Sequence, residues 1–538
     1  MKLKKNRHIT ATTFGELKGD SSEIRDISVY FDLFQNDAYS IADAQCIDLN
    51  IADLFDYSNR CLTPVGEMLL YHKLRHLSKS DTTARNEETI ARIEADSDFR
   101  GKIEEALSGL ADKGGGFTPG LLNMSIELSK WHRYFKFFPL FYITIVVVLW
   151  LFVSAWAALA GCLIILACNT FIHYWNKNYV ETYIRPLIQL KKIRAASVKL
   201  AKIDTYNSLA EIEESISEMD DLSKKVSVFG LNRLLESELM IVVLAAIEIV
   251  KTLFLVEPIV TNTILTKIGN VNLHAKRLID YLGEWDVLYS VSSLRVWMDR
   301  NSLDWSVPLF SESNGCVRAE EMYHPLIADC VPNSITIDNS VIITGSNMSG
   351  KSSFLKTIGV NIVASYAINT CFAKQMELLN CNLYTVLAVS DDINDAKSYY
   401  FSEVQRVKSI IDKCNDIPQN GTNIVLIDEI FKGTNTIERL SIANAVIKYF
   451  AKLKNTFVVV STHDIEMARS FEGILSAYHF SEKIEQAELR FNYKLIPGIE
   501  YTRNAISILR SCGYPQEIID SAELSAQKIC KSMDSISL

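Results

Sequence analysis

One long apolar run dominates the hydrophobic pattern of the chain, YITIVVVLWLFVSAWAALAGCLIILACNTFI at residues 142–172. No residue between Lys136 and His173 is charged or a histidine. A single helix over this interval would be about 54 Å long, whereas the hydrocarbon core of a bilayer is about 30 Å thick. The run therefore predicts two helices in a hairpin that spans a membrane, with Ser154 and Ala155 at the turn.

The flanking residues favour a membrane hairpin, although a buried helical pair in a large soluble core is the alternative. Aromatic residues lie where an aromatic belt would place them, at the base and near the tip of the hairpin. Basic residues stand at both ends, which the positive-inside rule places in the cytoplasm. We expect membrane contact through residues 137–172. The belt residues are Trp131, Tyr134, Phe135, Trp150, Trp156, Tyr174 and Trp175, and the basic residues are Lys130, Arg133, Lys136, Lys177, Arg185, Lys191 and Lys192.

A second apolar segment, LMIVVLAAIEIVKTLFLV at residues 239–256, has a different character. Glu248 and Lys251 lie near its centre, three positions apart, so they can pair on one helix face. Charges in the middle of a membrane span are costly. We therefore predict a buried helix here, and a second membrane contact is the less favoured alternative.

The remaining pattern divides the chain into helical and α/β parts. Apolar residues recur at three and four positions before and after the hairpin, which predicts helices. From about residue 334, short β-branched runs alternate with helical stretches, which is typical of a parallel α/β sheet. The predicted domains are an N-terminal arm (1–40), a helical domain (41–130), the transmembrane hairpin (131–178), a second helical part (179–310) and an α/β domain with C-terminal helices (311–538).

Charge and cysteine content narrow the possible functions. The net charge is −9, so no global basic field draws the chain to nucleic acid. Local basic surfaces are KLKKNR at residues 2–7 and LKKIRAASVKLAK at residues 190–202. Neither is interleaved with aromatic residues, which favours a solvated helix face or a membrane flank over a DNA contact. The 11 cysteines form no C-x-x-C pair, so neither a zinc site nor a disulfide framework is expected.

A phosphate-binding loop follows the first strand of the α/β part. VIITGSNMSGKSSFLKTIG reads as strand, loop and helix, and its centre fits G-x-x-x-x-G-K-[ST]. Lys351 is predicted to neutralise the β- and γ-phosphates, and Ser352 to ligate Mg²⁺. The predicted ATP-binding residues are Gly345, Ser346, Asn347, Met348, Ser349, Gly350, Lys351, Ser352 and Ser353.

Two further strands end in residues suited to phosphoryl chemistry. In TNIVLIDEIFKGTN, Asp428 ends an apolar strand and is predicted to hold Mg²⁺. Glu429 follows it and would orient or deprotonate the attacking water. In TFVVVSTHDIEM, His463 ends another strand and is predicted to sense the γ-phosphate. Lys351, Glu429 and His463 are the candidate catalytic residues, although an acidic pair or a lone histidine at a strand end can also be purely structural.

These segments together resemble the MutS family, the ABC-type ATPases of DNA mismatch repair. GSNMSGKSSF is similar to that family's phosphate loop, and DEIFKGTNTIERLSIANAV is similar to the family stretch that begins with an Asp-Glu pair. STHD is similar to the family's histidine motif, and YHPLI is similar to its H-P motif near the adenine pocket. Outside the ATPase, DLNIADLFDYSNRCLTPVGEMLLYHKL and YLGEWDVLYSVSSL resemble the ends of the MutS core domain. The resemblance implies an α/β P-loop ATPase domain joined to an all-α core and lever domain, with ATP and Mg²⁺ as cofactors.

The resemblance also implies a homodimer. SDDINDAKSYYFSEVQRVKSII resembles the family segment around S-T-F-x-x-E, by which Ser398 would contact the γ-phosphate bound by the opposite subunit. Each site is then completed across a two-fold interface between ATPase domains.

The sequence departs from the family in several places. The similarity covers about residues 40–120 and 200–530, without the two mismatch-reading domains or the Phe-x-Glu element, so mismatch-specific binding is not expected. The apolar hairpin stands where the family has lever helices and a DNA clamp. Ser349 replaces a loop glycine, and Phe431 and Lys432 replace a Gly-Arg pair, which could change the coupling between subunits.

Three functional hypotheses follow. The first is a membrane-tethered ATPase of the MutS type that clasps DNA. The second is an ATP-driven mechanochemical or signalling protein that acts on the membrane without DNA. The third, a degenerate ATP-binding module, is disfavoured because Lys351, Asp428, Glu429 and His463 are all present. We expect the inner (cytoplasmic) membrane as location, with the ATPase and both termini in the cytoplasm.

Overall fold

The structure of the protein is a computed structural model. The structure describes residues 14–16, 23–35, 40–78, 83–110, 134–204, 209–230, 248–311, 317–346, 348–387, 399–416, 422–431, 435–485, 488–500, 509–510 and 513–534. The chain forms two compact units. The helical unit comprises Met1–Gln35, Ser58–His72 and Ala84–Trp297, and the α/β unit comprises Asn36–Tyr57, Lys73–Thr83 and Met298–Leu538.

Helices account for most of the described secondary structure. In chain order they are α1 (Ile24–Phe34), α2 (Asp43–Asp48), α3 (Ile51–Ser58), α4 (Pro64–Leu74), α5 (Thr83–Ala95), α6 (Ser97–Leu107), α7 (Phe138–Phe152), α8 (Ala155–Ala201), α9 (Leu209–Gly230), α10 (Val256–Arg300), α11 (Lys351–Ile368), α12 (Tyr399–Asn415), α13 (Thr436–Lys452), α14 (Ile465–Ser470) and α15 (Gln516–Asp534).

The helical unit is organised around the second half of α10. The buried carboxylate of Asp286 accepts hydrogen bonds from the Leu62 and Thr63 backbone N–H groups and from the Thr63 hydroxyl, at 2.7, 2.8 and 2.6 Å. Leu62 and Thr63 lie immediately before α4, which begins at Pro64. The two core-domain segments that resemble MutS in the sequence are thus adjacent in space, although they lie more than 200 residues apart.

The apolar run forms α7, which a 3-10 turn at Phe135–Phe137 precedes, and the first part of α8. By length and composition, Phe135–Phe152 and Ala155–Trp175 could each cross a membrane. Only 6% of Phe135–Phe152 and 11% of Ala155–Trp175 is buried, whereas the core helices of a soluble protein are mostly buried. The turn differs from the predicted one by a residue. Val153 and Ser154 connect the helices, and the Ser154 hydroxyl caps α8 by accepting from the Ala157 N–H at 3.1 Å.

The helix of the second arm continues beyond the apolar run. Helix α8 has 47 residues and extends to Ala201. It passes residue 178, where the hairpin domain was expected to end, and Pro186 lies inside it. Its later part packs against α9, where Leu190, Ile193 and Leu200 are buried.

A buried charge cluster lies at the base of the hairpin. Lys251 Nζ is 3.4 Å from Glu248 Oε2 and 3.4 Å from Glu257 Oε1. His173 of α8 lies 3.4 Å from Glu248 and 3.7 Å from Glu257. The predicted pairing of Glu248 with Lys251 is confirmed, and residues 248–253 are helical. The predicted burial is wrong for this part, because Ile249, Val250, Leu253 and Phe254 are exposed. Residues 239–247 lie outside the described part of the chain.

The α/β unit contains ten described strands, β1 (Leu309–Ser311), β2 (Val317–Met322), β3 (Asn333–Ile337), β4 (Val341–Thr344), β5 (Gln375–Leu379), β6 (Cys381–Val386), β7 (Thr422–Asp428), β8 (Thr456–Thr462), β9 (Ser476–Glu485) and β10 (Glu488–Pro497). They form a four-stranded sheet in the order β1-β5-β2-β3 and a six-stranded sheet in the order β10-β9-β4-β8-β7-β6.

The six-stranded sheet positions the candidate site. All its neighbouring strands are parallel except β9 and β10, which confirms the prediction of a parallel-rich sheet. Strands β4, β7 and β8 are almost continuously buried, as expected for central parallel strands covered on both faces. Their carboxyl ends meet at one edge of the sheet, where ligands bind in open α/β folds.

Candidate nucleotide-binding site

The phosphate loop connects β4 to α11. Gly350 is the N-cap of α11 and has a φ of +103°, a left-handed conformation that favours glycine. A Cβ atom there would also lie 3.2 Å from Tyr493 Cδ1. The first turn of α11 therefore presents its N–H groups at the loop, and a helix N-terminus of this kind attracts phosphate.

Lys351 lies inside the loop. Its ammonium group donates to the carbonyl oxygens of Gly345 and Ser346, both at 2.8 Å, and lies 3.8 Å from Glu429 Oε1. The residue is only 4% exposed. Because a buried ammonium needs strong acceptors, these contacts fix the cation where phosphate groups would meet the loop.

Ser352 and Asp428 face each other across the loop and the end of β7. The Ser352 hydroxyl donates to Asp428 Oδ2 at 2.5 Å, and Ser461 at the end of β8 donates to Asp428 Oδ1. Hydroxyl and carboxylate oxygens are hard donors of the type that Mg²⁺ prefers, usually together with phosphate oxygens and water. The described residues hold no cluster of three or more His, Cys, Asp or Glu suited to a metal ion, so a cation here would depend on such additional ligands.

Glu429 and His463 form a second pair beside the first. His463 Nδ1 lies 3.2 Å from Glu429 Oε1. The hydrogen bond to Glu429 raises the pKa of His463 above its usual range, against the opposing effect of burial. Glu429 has a φ of +48°, and its N–H donates to the Ser461 carbonyl at 3.1 Å. This unusual backbone conformation turns the carboxylate toward Lys351.

A cavity of about 500 Å³ opens beside these groups. Its lining includes the residues of the phosphate loop and Glu429, namely Gly350, Lys351, Ser352, Ser353 and Glu429. It also includes mostly apolar residues, namely Met322, Ile327, Ala328, Cys330, Val331, Phe480 and Tyr493. A lining with both polar and apolar residues is suited to a ligand with a charged part and a flat apolar part.

His324 of the H-P motif is buried and lies next to the chain that carries Ile327 and Ala328 of the lining. Burial lowers the pKa of His324 to about 4, so the ring is neutral at pH 7. Its Nδ1 accepts from the Leu326 N–H at 3.3 Å. The His324 N–H lies 3.3 Å from Cys330 Sγ. These contacts hold the turn that carries Ile327 and Ala328.

The structure brings most of the predicted site residues together. Gly350, Lys351, Ser352, Ser353, Glu429 and also Met348 line the cavity. Asp428 and His463 are joined to it by the contacts above. Asn347 and Ser398 lie outside the described residues, so their predicted roles rest on the sequence.

Two residues that depart from the family pattern, Ser349 and Phe431, are buried in the structure. The Ser349 side chain is 1% exposed, and its hydroxyl makes no hydrogen bond with the residues described here. Phe431 has a φ of +63°, where the family pattern has glycine, and buries its ring in the core. Its N–H donates to Glu403 Oε1 at 2.7 Å. Lys432 lies outside the described part of the chain.

Several contacts at the site were missed by the sequence analysis. Tyr493 reaches the phosphate loop from a bulge in β10, and no motif marks it. Arg439 of α13 pairs with Asp464, next to His463, through two contacts of 2.9 and 3.2 Å. The D that follows STH was a usable pattern for this pair.

Residues 190–202, the basic stretch considered as a DNA contact, make several contacts within the protein. Arg194 lies 2.6 Å from Asp220 of α9 and donates to the Ile216 carbonyl at 3.0 Å. Ile193, Ala196 and Ser197 are buried. The stretch therefore includes a packed helix face. Residues 2–7 lie outside the described residues.

Comparison with known proteins identifies relatives of this chain. A family model, MutS domain V, matches residues 341–530. DNA mismatch repair protein MutS of Petrotoga mobilis is 24% identical over 364 residues, which is 64% of this chain and 42% of the relative. MutS of Syntrophomonas wolfei subsp. wolfei is 26% identical over 276 residues, 49% of this chain and 30% of the relative.

A third relative matches about half of this chain at a similar identity. DNA mismatch repair protein MSH3 of Candida glabrata is 26% identical over 275 residues, 48% of this chain and 26% of the relative. The chain thus spans less than half the length of the curated relatives it matches.

Proposed function

Because this chain is a MutS-related protein whose residues 341–530 match MutS domain V, we propose that it binds and hydrolyses ATP with Mg²⁺. The observation that carries the proposal is the meeting of two side-chain pairs at one cavity. Ser352 pairs with Asp428, Glu429 pairs with His463, and Glu429 also lies 3.8 Å from Lys351. Members of the MutS family are ATPases, and these residue types are those that phosphoryl transfer requires.

Each residue has a distinct proposed role. Lys351 and the N–H groups of α11 offset the charge of the β- and γ-phosphates. Ser352 and Asp428 hold Mg²⁺, which would neutralise developing charge on the phosphates. Glu429 orients the attacking water and accepts its proton, since its carboxylate faces the loop. His463 holds Glu429 through their hydrogen bond and contacts the γ-phosphate.

We further propose that the active form is a homodimer joined through the ATPase domains. Ser398 of each subunit would complete the site of the other, so ATP closes the dimer and hydrolysis opens it. MutS-family proteins act as dimers, which supports the proposal. The closing motion would act on whatever the helical unit holds.

The apolar hairpin supports a membrane location. The two hairpin helices expose large apolar side chains such as Leu163, Trp156 and Phe152, and an exposed apolar surface of this length is unfavourable in water. We propose that α7 and the first part of α8 lie in the cytoplasmic membrane, with the ATPase and both termini in the cytoplasm.

DNA is one candidate for the target of the motion. The relatives are named as DNA mismatch repair proteins, which favours a membrane-tethered clamp on DNA. The second candidate, motion acting on the membrane or a membrane partner without DNA, is favoured by the hairpin and by the pairing of Arg194 within the protein.

Hydrolysis by the detergent-solubilised full chain, with and without Mg²⁺, tests the proposal. We expect turnover that requires Mg²⁺, and no turnover under any condition would overturn it. Addition of duplex DNA at several salt concentrations separates the two candidates. A DNA clamp binds with a clear negative slope of log K against log salt, whereas activation by liposomes alone favours the membrane target.

A further inference from the structure

A buried carboxylate of α12 holds the turn that follows β7. Glu403 is 3% exposed, and its Oε1 accepts a hydrogen bond from the Phe431 N–H at 2.7 Å. Phe431 comes two residues after Glu429, the proposed base of the nucleotide site. Glu403 is not among the described residues that line the nucleotide cavity. It therefore supports the turn that carries Glu429 and does not belong to the cavity itself.

Glu403 occupies a position of α12 that would suit an apolar side chain. Val407, Ile410 and Cys414 follow it at helical spacing, and all three are buried in one hydrophobic core. A carboxylate at such a position loses water, which is costly unless strong donors replace it. Packing therefore does not explain an acidic residue here, whereas the hydrogen bond to the turn does.

The turn from Glu429 to Phe431 has an unusual backbone. Glu429 has a φ of +48° and Phe431 a φ of +63°, and residues other than glycine rarely adopt this left-handed region. The MutS family pattern has glycine at the position of Phe431, which adopts such angles without strain. A strained backbone persists only where surrounding contacts fix it, so this chain needs support for the turn from outside it.

Hydrogen bonds from two elements provide that support. At the start of the turn, the Glu429 N–H donates to the Ser461 carbonyl of β8 at 3.1 Å. At its end, the Phe431 N–H donates to the Glu403 carboxylate, and hydrogen bonds to an ionised acceptor are the stronger kind. The Phe431 ring also meets the Tyr400 ring of α12 edge-on, with ring centroids 6.1 Å apart. Strand β8 and helix α12 thus hold the two ends of the turn.

The direction of the Glu429 side chain depends on the backbone of this turn. In the observed geometry, Glu429 Oε1 lies 3.8 Å from Lys351 Nζ and 3.2 Å from His463 Nδ1. Release of the Phe431 N–H would let the strained turn relax and change where that carboxylate lies. A misplacement of about 1 Å in a reacting group can lower a rate about a hundredfold. A hydrogen bond outside the cavity can therefore determine the rate inside it.

We propose that Glu403 is a positioning residue that sets the direction of Glu429 through the Phe431 N–H. This inference rests on the proposed function, in which Glu429 activates the attacking water. The phosphate loop and Lys351 are held by other contacts. Loss of the Glu403 carboxylate should therefore spare the affinity for ATP and lower the rate of hydrolysis.

ATP binding and single-turnover hydrolysis by Glu403 variants test the proposal. Glu403→Leu keeps a side chain of similar size but removes the acceptor, so the rate should fall about tenfold or more while the Kd for ATP changes less than about twofold. Glu403→Gln keeps an acceptor oxygen, so its rate should stay within about threefold of wild type. Equal losses of rate for the two folded variants would overturn the proposal, because the acceptor would then not matter.

Two further variants supply the control and cover a failure of Glu403→Leu to fold. Asp412→Leu makes the matched change on α12, where the 56% exposed Asp412 side chain pairs with Lys408, and should hydrolyse ATP as wild type does. Glu403→Asp keeps the charge but withdraws the carboxylate by one methylene, so it should also slow hydrolysis. A wild-type rate in a folded Glu403→Leu or Glu403→Asp protein would refute the positioning role.

A double-mutant cycle shows whether Glu403 acts through Glu429. If it does, the double variant Glu403→Leu, Glu429→Gln should hydrolyse ATP within about threefold of the rate of Glu429→Gln alone, because no base remains to be misplaced. A rate reduced by the product of the two single losses would mean independent roles and would overturn the proposal.

The single variants separate this inference from the proposed function. A wild-type rate for Glu429→Gln would refute Glu429 as the base, and this inference with it. Slow hydrolysis by Glu429→Gln beside a wild-type rate for folded Glu403→Leu would refute only the positioning role of Glu403.

Discussion

At the scale of single residues, Glu429 determines how readily His463 is protonated, because the two side chains lie 3.2 Å apart. The hydrogen bond from His463 to Glu429 raises the pKa of the imidazole. The pair thus links the charge state of the site to pH in the physiological range.

This coupling predicts a specific pH dependence of stability. Because the folded pKa of His463 lies above the unfolded value of about 6.5, its contribution is fully present below about pH 6.5. The contribution is lost as pH rises through the folded pKa. We expect the difference in Tm between wild type and His463→Gln, measured without nucleotide, to shrink between pH 6 and pH 8.

His463 is partly exposed, so solvent screening keeps the effect modest. His479→Gln provides a control histidine, which lies 3.9 Å from Glu500 in the same sheet. A wild-type-minus-variant difference for His463 that grows with pH would contradict the assignment.

Site residues could be predicted from the sequence where they belong to a local motif next to a predicted strand or helix. Lys351, Ser352, Asp428 and Glu429 each stand at a strand end or helix start that the hydrophobic pattern defines. Tyr493 was not predictable in this way, because its contact joins positions more than 100 residues apart. Only the tertiary fold brings Tyr493 to Gly350.

At the scale of elements, the apolar run determined α7 and the start of α8, because composition alone distinguishes it. Helix α8 continues past residue 178, where the hairpin domain was expected to end, as far as Ala201. Pro186 does not end the helix, whose later part packs against α9. Proline in a helix is tolerated when tertiary contacts compensate for the lost hydrogen bond.

The hairpin gives a prediction about membrane insertion. Leu163→Arg places a charge on an exposed apolar face of α8, 61% exposed in the wild type. An arginine near the middle of a span costs about 2.5–3.5 kcal/mol. We expect a larger fraction of the variant in the supernatant after carbonate washing of membranes.

The matched control uses the same substitution on the same helix. Ala195→Arg lies on an exposed position of α8 beyond the apolar part and should remain with the membrane as wild type does. Equal release of both variants, or of wild type, would argue against insertion of the hairpin.

The charge cluster at the hairpin base gives a prediction about stability. Lys251 has 6% side-chain exposure and lies between two carboxylates. Lys251→Met would leave Glu248 and Glu257 facing His173 without their ammonium partner. Breaking a buried pair costs about 3–5 kcal/mol, so the Tm in detergent should fall by several degrees.

An exposed ion pair provides the comparison. Lys224 pairs with Asp220 on α9 with a side chain that is 75% exposed. Surface pairs contribute about 0–1 kcal/mol, so Lys224→Met should barely change the Tm. Equal effects of the two substitutions would mean that the cluster is not desolvated in the folded protein.

At the scale of the whole molecule, the sequence shows a helical pattern of apolar residues in one part and alternating strand and helix patterns in the other. The strand patterns predicted the parallel-rich sheet, since buried parallel strands appear as continuous apolar runs. The hydrophobic pattern did not predict that residues 36–57 and 73–83 belong to the α/β unit. Their apolar spacing predicts helices, and only tertiary contacts, such as that between Leu49 and Gly359, place these residues in the α/β unit.

The central proposal is that the chain hydrolyses ATP at the site formed by Lys351, Ser352, Asp428, Glu429 and His463. Glu429→Gln tests it most directly, because the amide keeps the shape of the side chain but cannot accept a proton. Exposed Glu472→Gln provides the matched control.

The decisive measurement is a single-turnover assay with radiolabelled ATP and Mg²⁺, in which bound ATP and released phosphate are followed together. We predict that Glu429→Gln retains ATP with near wild-type affinity while hydrolysis falls about 10²–10⁴-fold, and that Glu472→Gln behaves as wild type. Hydrolysis by Glu429→Gln at the wild-type rate would contradict the account.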